Sequence, residues 1–313
     1  MILVTGGTGF IGRALTRHLV DGGYSVRLLI RPSPNSPSIS TNTPVEVAIS
    51  SLDDERGLRA AMVGVDAVFH LVGAEWRGVH ADLVKTDIQS TQEIIRAAID
   101  AGVQRFFYVS HLGSNRASAY PVFKAKAIAE EYIRHSGLDY TILRSGILFG
   151  PNDGFSTGIA KLLASVPILF FLPGEGNTLI QPFWVEDLAT CLTWTLEDSS
   201  TRNQVIEVGG PEYITFRQTV ETIMKITGLG KKLITFKPPY LRALTVLLDH
   251  IFPNIPISVY WLDYLAANRT CGLDSVPNTF NLIPSRFSQR LEYLNERKWR
   301  ISLWQALRKP QQR

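Results

Sequence analysis

The sequence predicts an α/β fold: a Rossmann-type, doubly wound parallel sheet followed by a smaller, mixed, mostly helical C-terminal lobe. Three observations predict it. Short apolar strand patterns alternate with helical patterns through the first half of the chain. The strand patterns are nearly continuous apolar runs, as a sheet covered on both faces requires. A glycine-rich turn, Thr5-Gly6-Gly7-Thr8-Gly9-Phe10-Ile11-Gly12, joins the first strand pattern to the first helical one.

The strand patterns fall at 2–4, 25–30, 45–49, 67–71, 105–109 and 140–144. Helical patterns occupy 9–21, 53–63, 81–101 and 119–136, and glycines at 22, 23, 102 and 137 close helices where a left-handed residue is wanted. The segment 32–44, rich in Pro, Ser, Asn and Thr, is expected to be a mobile loop near a bound ligand's ribose end. After Gly150-Pro151 the alternation is lost. A strand leads into a helix over 182–196, a strand follows at 204–208, and a helix spans 215–227 with Thr215 as its N-cap. The tail from Lys237 reads as mostly helical. The expected division is a dinucleotide-binding domain over 1–150, whose sheet later segments can complete, and a substrate or partner lobe with its tail over 151–313.

Composition excludes several classes. With 45% hydrophobic and 19% charged residues, a chain of 313 residues can bury a large core. The net charge is +4 and no Lys/Arg block is dense, so no nucleic-acid partner is expected. Cys191 and Cys271 lack metal spacing and suggest no disulfide framework, which fits a reducing compartment. No Ser/His/Asp or Cys/His grouping supports hydrolysis or a metal. Met1 leads directly into a strand, so no secretory signal is expected and the location is read as cytoplasmic. The apolar segment 240–266 is interrupted by Arg242, Asp249, His250 and Asp263 and broken by Pro253 and Pro256. It reads as two short helices packed on the body, with peripheral contact to a membrane or protein complex as the alternative.

The glycine turn carries the ligand expectation. Gly7-x-Gly9-x-x-Gly12 and Gly6-x-x-Gly9-x-x-Gly12 both satisfy dinucleotide-binding spacings. The backbone must come close to a diphosphate, which then rests on free N–H groups at the helix start. Gly12 lets the helix approach the strand. The second strand ends Leu28-Leu29-Ile30-Arg31-Pro32, without the acid that would grip an adenosine 2′-hydroxyl. Arg31, helped by Arg13, suits a 2′-phosphate instead. NADP(H) is therefore the favoured cofactor, with NAD(H) as the alternative.

At this point the chain resembles atypical members of the extended short-chain dehydrogenase/reductase superfamily. It is most similar to NmrA-like proteins and to those related to the nucleotide-binding accessory subunit of respiratory complex I. TGGTGFIG, GVDAVFHLVG, RFFYVSHLGS, KAKAIAEEYIRHSGLDYTILRSGILFGP and QPFWVEDLA carry the resemblance over roughly the first two-thirds of the chain. It implies that Ser51 and Leu52 touch the adenine, with Ser51 replacing a frequent Asp. It places Leu71, Val72 and Gly73 beside the adenosine ribose and diphosphate, Ser110 in the catalytic-serine region, and Ser145 and Ile147 at the nicotinamide end.

Active relatives use Tyr-x-x-x-Lys, whose spacing puts both side chains on one helix face. The lysine holds the nicotinamide ribose and lowers the tyrosine's pKa, and the tyrosine transfers a proton. Tyr120 and Lys124 have that spacing. The family's Lys-Ala-x-x-Glu run, however, falls on Lys126-Ala127-Ile128-Ala129-Glu130, which makes Lys126 the ribose lysine and puts Val122 in the tyrosine position. Three readings stay open: Tyr120 with Lys124, Lys126 without the standard acid, or neither. His111 beside Ser110 is a second candidate proton donor, and His70 reads as a core residue near the cofactor.

Phe155, Phe170, Phe171, Phe183 and Trp184 offer an apolar wall for a hydrophobic substrate such as a quinone or isoprenoid, or form core. The leading expectation is a reductase of a hydrophobic carbonyl or quinone. The alternatives are a non-catalytic nucleotide-binding accessory, assembly or redox-sensing protein, and a sugar-nucleotide epimerase or dehydratase.

Overall fold

The computed structural model describes residues 1–33, 44–74, 80–251, 258–295 and 299, the side chains of 249–251 excepted. Most of the 32–44 loop, Pro253, Pro256 and the end of the tail lie outside the described residues.

The chain opens with β1 (Ile2–Thr5), α1 (Phe10–Asp21), β2 (Val26–Ile30), β3 (Glu46–Ile49), α2 (Glu55–Ala61) and β4 (Ala67–His70). A π-helical stretch at Val84–Gln89 runs into α3 (Ser90–Asp100). Then come β5 (Arg105–His111), α4 (Pro121–Arg134) and β6 (Asp139–Ser145). Next are β7 (Leu148–Phe149), α5 (Ser156–Ser165), β8 (Leu169–Pro173), β9 (Leu179–Ile180), β10 (Phe183–Trp184), α6 (Val185–Trp194) and β11 (Gln204–Val208). The remainder holds β12 (Ile214–Thr215), α7 (Phe216–Thr227), β13 (Lys232–Phe236), α8 (Pro238–Ile251), α9 (Val259–Tyr264) and α10 (Ser275–Phe280).

Seven strands form one parallel sheet in the order β11-β6-β5-β4-β1-β2-β3. This is the doubly wound arrangement that the alternation predicts. From β1 the chain winds outward to β2 and β3, then returns to place β4 on the other side of β1. The crevice beyond the carboxyl ends of β1 and β4 is therefore the topological switch point, where such sheets take ligands.

The chain divides into two compact units. The first comprises Met1–Ala74, Asp82–Ser145 and Val185–Val208, and the second Glu75–Ala81, Gly146–Trp184 and Gly209–Arg313. In the first unit, Leu58 of α2, Ile94 and Ala98 of α3 and Ile133 of α4 pack with Leu3, Val68 and Phe106 of the sheet, all essentially water-free. Burying each large side chain of this kind contributes about 1.5–3 kcal/mol. A separate cluster joins Ala14 of α1 to Val185 and Ala189 of α6, with Phe10 against it. Glu186 then fastens α6 to α1 through Arg17 (2.5 Å) and His18 (2.9 Å). Helices on both faces explain why Leu3, Val4, Val68, Phe69, Phe106 and Phe107 are all buried and why the strands read as unbroken apolar runs.

In the second unit, β8 pairs in parallel with β13, β7 with β10, and β9 pairs antiparallel with β12. Thr215 caps α7 in a capping box with Gln218, and the left-handed Gly228 ends that helix. Gln181 is fully buried and donates from Nε2 to the Gly210 carbonyl (2.7 Å) while accepting from the Cys271 backbone N–H (2.8 Å). Among the described residues no helix is long and apolar enough to cross a membrane.

Candidate functional site

The glycine turn sits at the switch point. Gly6 has φ +72°, and a Cβ there would lie 2.9 Å from the Leu71 carbonyl oxygen, so the turn after β1 lies against the turn after β4. At Gly12 a Cβ would lie 2.2 Å from the Gly6 carbonyl oxygen and 2.5 Å from the Gly7 Cα. Both positions demand glycine on steric grounds. The turn is closed by a hydrogen bond from Gly9 N–H to the Gly6 carbonyl (2.9 Å). Gly9 is the N-cap of α1, no side chain caps that helix, and its first turn carries no acid. It carries Arg13 instead, whose Nη1 donates to the Thr8 carbonyl (2.6 Å). A cation at a helix N-terminus opposes the helix dipole, so this end is built for an anion. These residues fit a dinucleotide diphosphate.

The same unit holds a buried polar cluster. Lys126 Nζ pairs with Asp87 Oδ1 at 3.0 Å, and the two side chains are only 4% and 1% exposed. Asp87 comes from the π-helical stretch, and its Oδ2 accepts from the Ala74 N–H (3.3 Å). One carboxylate thus neutralises Lys126 and holds the chain after β4. Lys126 Nζ also lies 5.2 Å from the centre of the Tyr108 ring.

His70, at the end of β4, is fully buried between two threonines. Its Nδ1 lies 2.8 Å from Thr5 Oγ1 and its Nε2 lies 3.1 Å from Thr91 Oγ1. Thr91 spends its hydroxyl proton on the Asp87 carbonyl (2.6 Å), so it can only accept from His70. His70 is therefore the Nε2–H tautomer, with Nδ1 accepting from Thr5. Burial, and then the positive Lys126, push its pKa from 6.5 down to about 3. An unfolded chain takes up this proton below pH 6.5 and the folded one does not until about pH 3. Stability is thus complete above the unfolded value and lost as pH falls across that window, by about 1.4 kcal/mol per pH unit. Denaturant titrations between pH 7 and pH 4 should show His70→Asn losing less stability over this range than the parent. Equal slopes would contradict the neutral buried ring.

The tyrosine–lysine candidates separate. Tyr120 is half-buried and is the N-cap of α4, outside the helix, with Pro121 as its first residue. Lys124 is exposed, and its backbone N–H bonds the Tyr120 carbonyl (3.2 Å). Lys126 lies on the buried face of α4 with Val122, Glu130 and Ile133. Glu130 in turn binds Arg144 of β6 (2.6 Å). Ser110, at the end of β5, is fully buried with its hydroxyl 3.0 Å from that of Ser114. His111 is half-buried, edge-on to Phe123.

The remaining expected positions fall as follows. Leu71, Val72 and Gly73 follow β4 at the switch point and are half-buried, and Leu71 N–H bonds the Thr5 carbonyl (3.2 Å). Arg31 follows β2, is exposed, and makes no hydrogen bond or ion pair among the described residues. Ser51 donates to Asp53, and Leu52 packs at the edge of the core. Ser145 is buried, with its hydroxyl 3.5 Å from the Ser110 carbonyl. Ile147 belongs to the second unit, where its carbonyl accepts from Phe183 N–H (2.8 Å). Of the expected aromatic wall, Phe155, Phe170 and Phe171 line a cavity within that unit. Phe183 is core, and Trp184 packs on Phe149 and Tyr293. Asp87 is the residue that sequence reasoning missed.

The model of the NmrA-like family matches residues 1–254. The chain is 25% identical over 286 residues to NADH dehydrogenase [ubiquinone] 1 alpha subcomplex subunit 9, mitochondrial, of Arabidopsis thaliana, covering 87% of this chain and 70% of that protein. It is 29% identical over 254 residues to a putative dihydroflavonol 4-reductase of a Synechocystis species, covering 72% of each. Across curated relatives such as these it spans 59 to 72% of their length. Among solved structures, the NADPH-dependent quinone oxidoreductase of Escherichia coli complexed with NADPH shares the fold, with a TM-score of 0.75 at 17% identity over 94% of this chain and 99% of that one.

Proposed function

This chain belongs to the NmrA-like family, and from that premise we propose that it binds NADP(H) as a structural or sensing ligand in an accessory or assembly role. The observation that carries this reading is the commitment of Lys126 to Asp87, with Val122, not a tyrosine, one helical turn before it on α4. Gly6 to Gly12 and the uncapped start of α1 would hold the diphosphate. Leu71 to Gly73 would line the adenosine side, with Ser51 and Leu52 near the adenine. The exposed Arg31 after β2, with no acid in its place, supports a 2′-phosphate. The Arabidopsis relative, named as a subunit of an NADH dehydrogenase, points the same way.

A second reading, reduction of a hydrophobic carbonyl or quinone by Tyr120 with Lys124, draws on the Ser110 hydroxyl at the end of β5 and on the relative named as a reductase. When bound, the nicotinamide would supply hydride; Tyr120 would have to supply the proton.

One set of measurements separates the two. Calorimetry should show NADPH binding tighter than NADH, and Arg31→Ala should cost about tenfold in NADPH affinity, or about 1.4 kcal/mol, and nothing with NADH. Incubation with NADPH and a quinone and carbonyl panel should give no turnover. Sustained NADPH oxidation that Tyr120→Phe abolishes would replace the first reading with the second.

A further inference from the structure

We propose that the second unit holds a single hydrocarbon chain, the acyl chain of an anionic membrane lipid, in an apolar cavity that opens at a bilayer surface. The proposal is independent of the nucleotide reading.

The cavity has a volume of about 250 Å³ and lies between α5, β8, α8 and α9. Its wall is built from side chains such as Phe155, Ile159, Phe170, Leu241, Trp261 and Leu262. The polar groups among the lining side chains are the hydroxyls of Thr245 and Ser258 and the indole N–H of Trp261, and Ser258 Oγ also accepts from the Tyr260 N–H (3.2 Å). A bound water needs two to four polar partners, whereas this wall is overwhelmingly apolar, and an apolar cavity of roughly 150 Å³ already takes benzene. The wall has no charged group with which to recognise a polar metabolite.

The cavity is also kept open by sequence. Gly158 lies inside α5, where glycine weakens a helix, and a Cβ there would meet nothing within 4 Å. Gly158 is part of the cavity lining, so a larger side chain there has open space to enter and would narrow the cavity.

The mouth is what selects a membrane lipid. Phe171 and Leu244 line the cavity and are yet 41% and 38% exposed. Leu244 belongs to a row with Tyr240 and Leu247 at i, i+4 and i+7, so α8 is apolar towards solvent as well as towards the cavity. Ile168, before β8, is exposed too. Two cations accompany this collar. Lys232 is in register with Leu169 across the β8–β13 pair, on the face that also carries Phe171, and Lys237 directly precedes α8. Both are exposed, and neither makes an ion pair among the described residues. An apolar collar with lysines at its edge matches the boundary between acyl chains and anionic headgroups. A soluble apolar molecule would need neither the collar nor the charge.

The test uses the full chain, with two probes. The fluorescent fatty acid cis-parinaric acid should bind, with energy transfer from tryptophan. Gly158→Leu should weaken that binding at least tenfold while leaving the thermal midpoint unchanged or raised. Sedimentation with vesicles should show binding to phosphatidylcholine containing phosphatidylglycerol and little to phosphatidylcholine alone. Lys232→Glu with Lys237→Glu should weaken vesicle binding at least tenfold without altering parinarate binding. Parinarate binding that is absent, or indifferent to Gly158→Leu, would overturn the cavity assignment. Parinarate binding without preference for anionic vesicles would overturn the membrane source and leave a soluble apolar ligand.

Discussion

Gly12→Val should abolish NADPH binding, with a loss of at least a hundredfold in affinity. The atoms that a Cβ would meet at this position are all backbone: the Gly6 carbonyl oxygen at 2.2 Å, the Gly7 Cα at 2.5 Å and the Gly7 carbonyl carbon at 2.8 Å. No rotamer change relieves such a contact, so the turn must open and α1 must shift away from β1. Overpacking of this kind costs about 1–3 kcal/mol or more in stability. The N–H groups at the start of α1 would then no longer converge on one point. Gly12→Ala is the milder probe, and Gly9→Ala the control, because a Cβ at Gly9 would only reach 3.0 Å from the Gly6 oxygen. Calorimetry with NADPH, alongside far-ultraviolet circular dichroism to show that the sheet persists, should rank the losses Gly12→Val, Gly12→Ala, Gly9→Ala. A folded Gly12→Ala protein that binds NADPH like the parent would remove the turn as the diphosphate site.

This turn was legible in the sequence because its requirements are local: a strand, three spaced glycines and a helix occupy consecutive residues. The seven-stranded sheet was legible for a related reason, since burial on both faces writes an unbroken apolar run into each strand. The lysine register was only half legible. Tyr120 and Lys124 satisfy the i, i+4 rule, but the rule assumes that both residues are inside the helix, and Pro121 starts it one residue too late. The phase of α4 shows which residues share its buried face, because Val122, Lys126, Glu130 and Ile133 follow one stripe. Asp87 was not legible. In the run Lys85-Thr86-Asp87 it reads as a surface acid, and its burial depends on the wider π-helical turn, which shifts the phase between 84 and 90. The second unit was least legible. Its strands β7, β9, β10 and β12 have two residues each, too short for any periodicity, and the partners β8 and β13 are separated by the strands β9 to β12 and the helices α6 and α7.

Asp87→Asn should destabilise the protein by about 3–5 kcal/mol, although it removes no atom from the packing. The substitution leaves the Lys126 ammonium buried at 4% exposure with its counter-charge gone. Neither the Tyr108 ring beside it nor the neutral His70 can replace a carboxylate. Lys126→Met alone should cost a similar amount, since it takes the counter-charge from the buried Asp87 instead. The double variant Asp87→Asn with Lys126→Met should recover much of the loss, because the desolvation cost of both charges disappears together. Chemical denaturation of the four proteins measures this coupling directly. The comparison with Asp87→Ala separates the two roles of the carboxylate. Asparagine keeps an acceptor for the Ala74 N–H and alanine does not. Stability should therefore fall in both, whereas the placement of the chain after β4, and with it NADPH affinity, should suffer mainly in the alanine variant. If Asp87→Asn costs less than about 1 kcal/mol, the pair behaves as a solvated one in solution, and the reading of Lys126 as a sequestered charge fails.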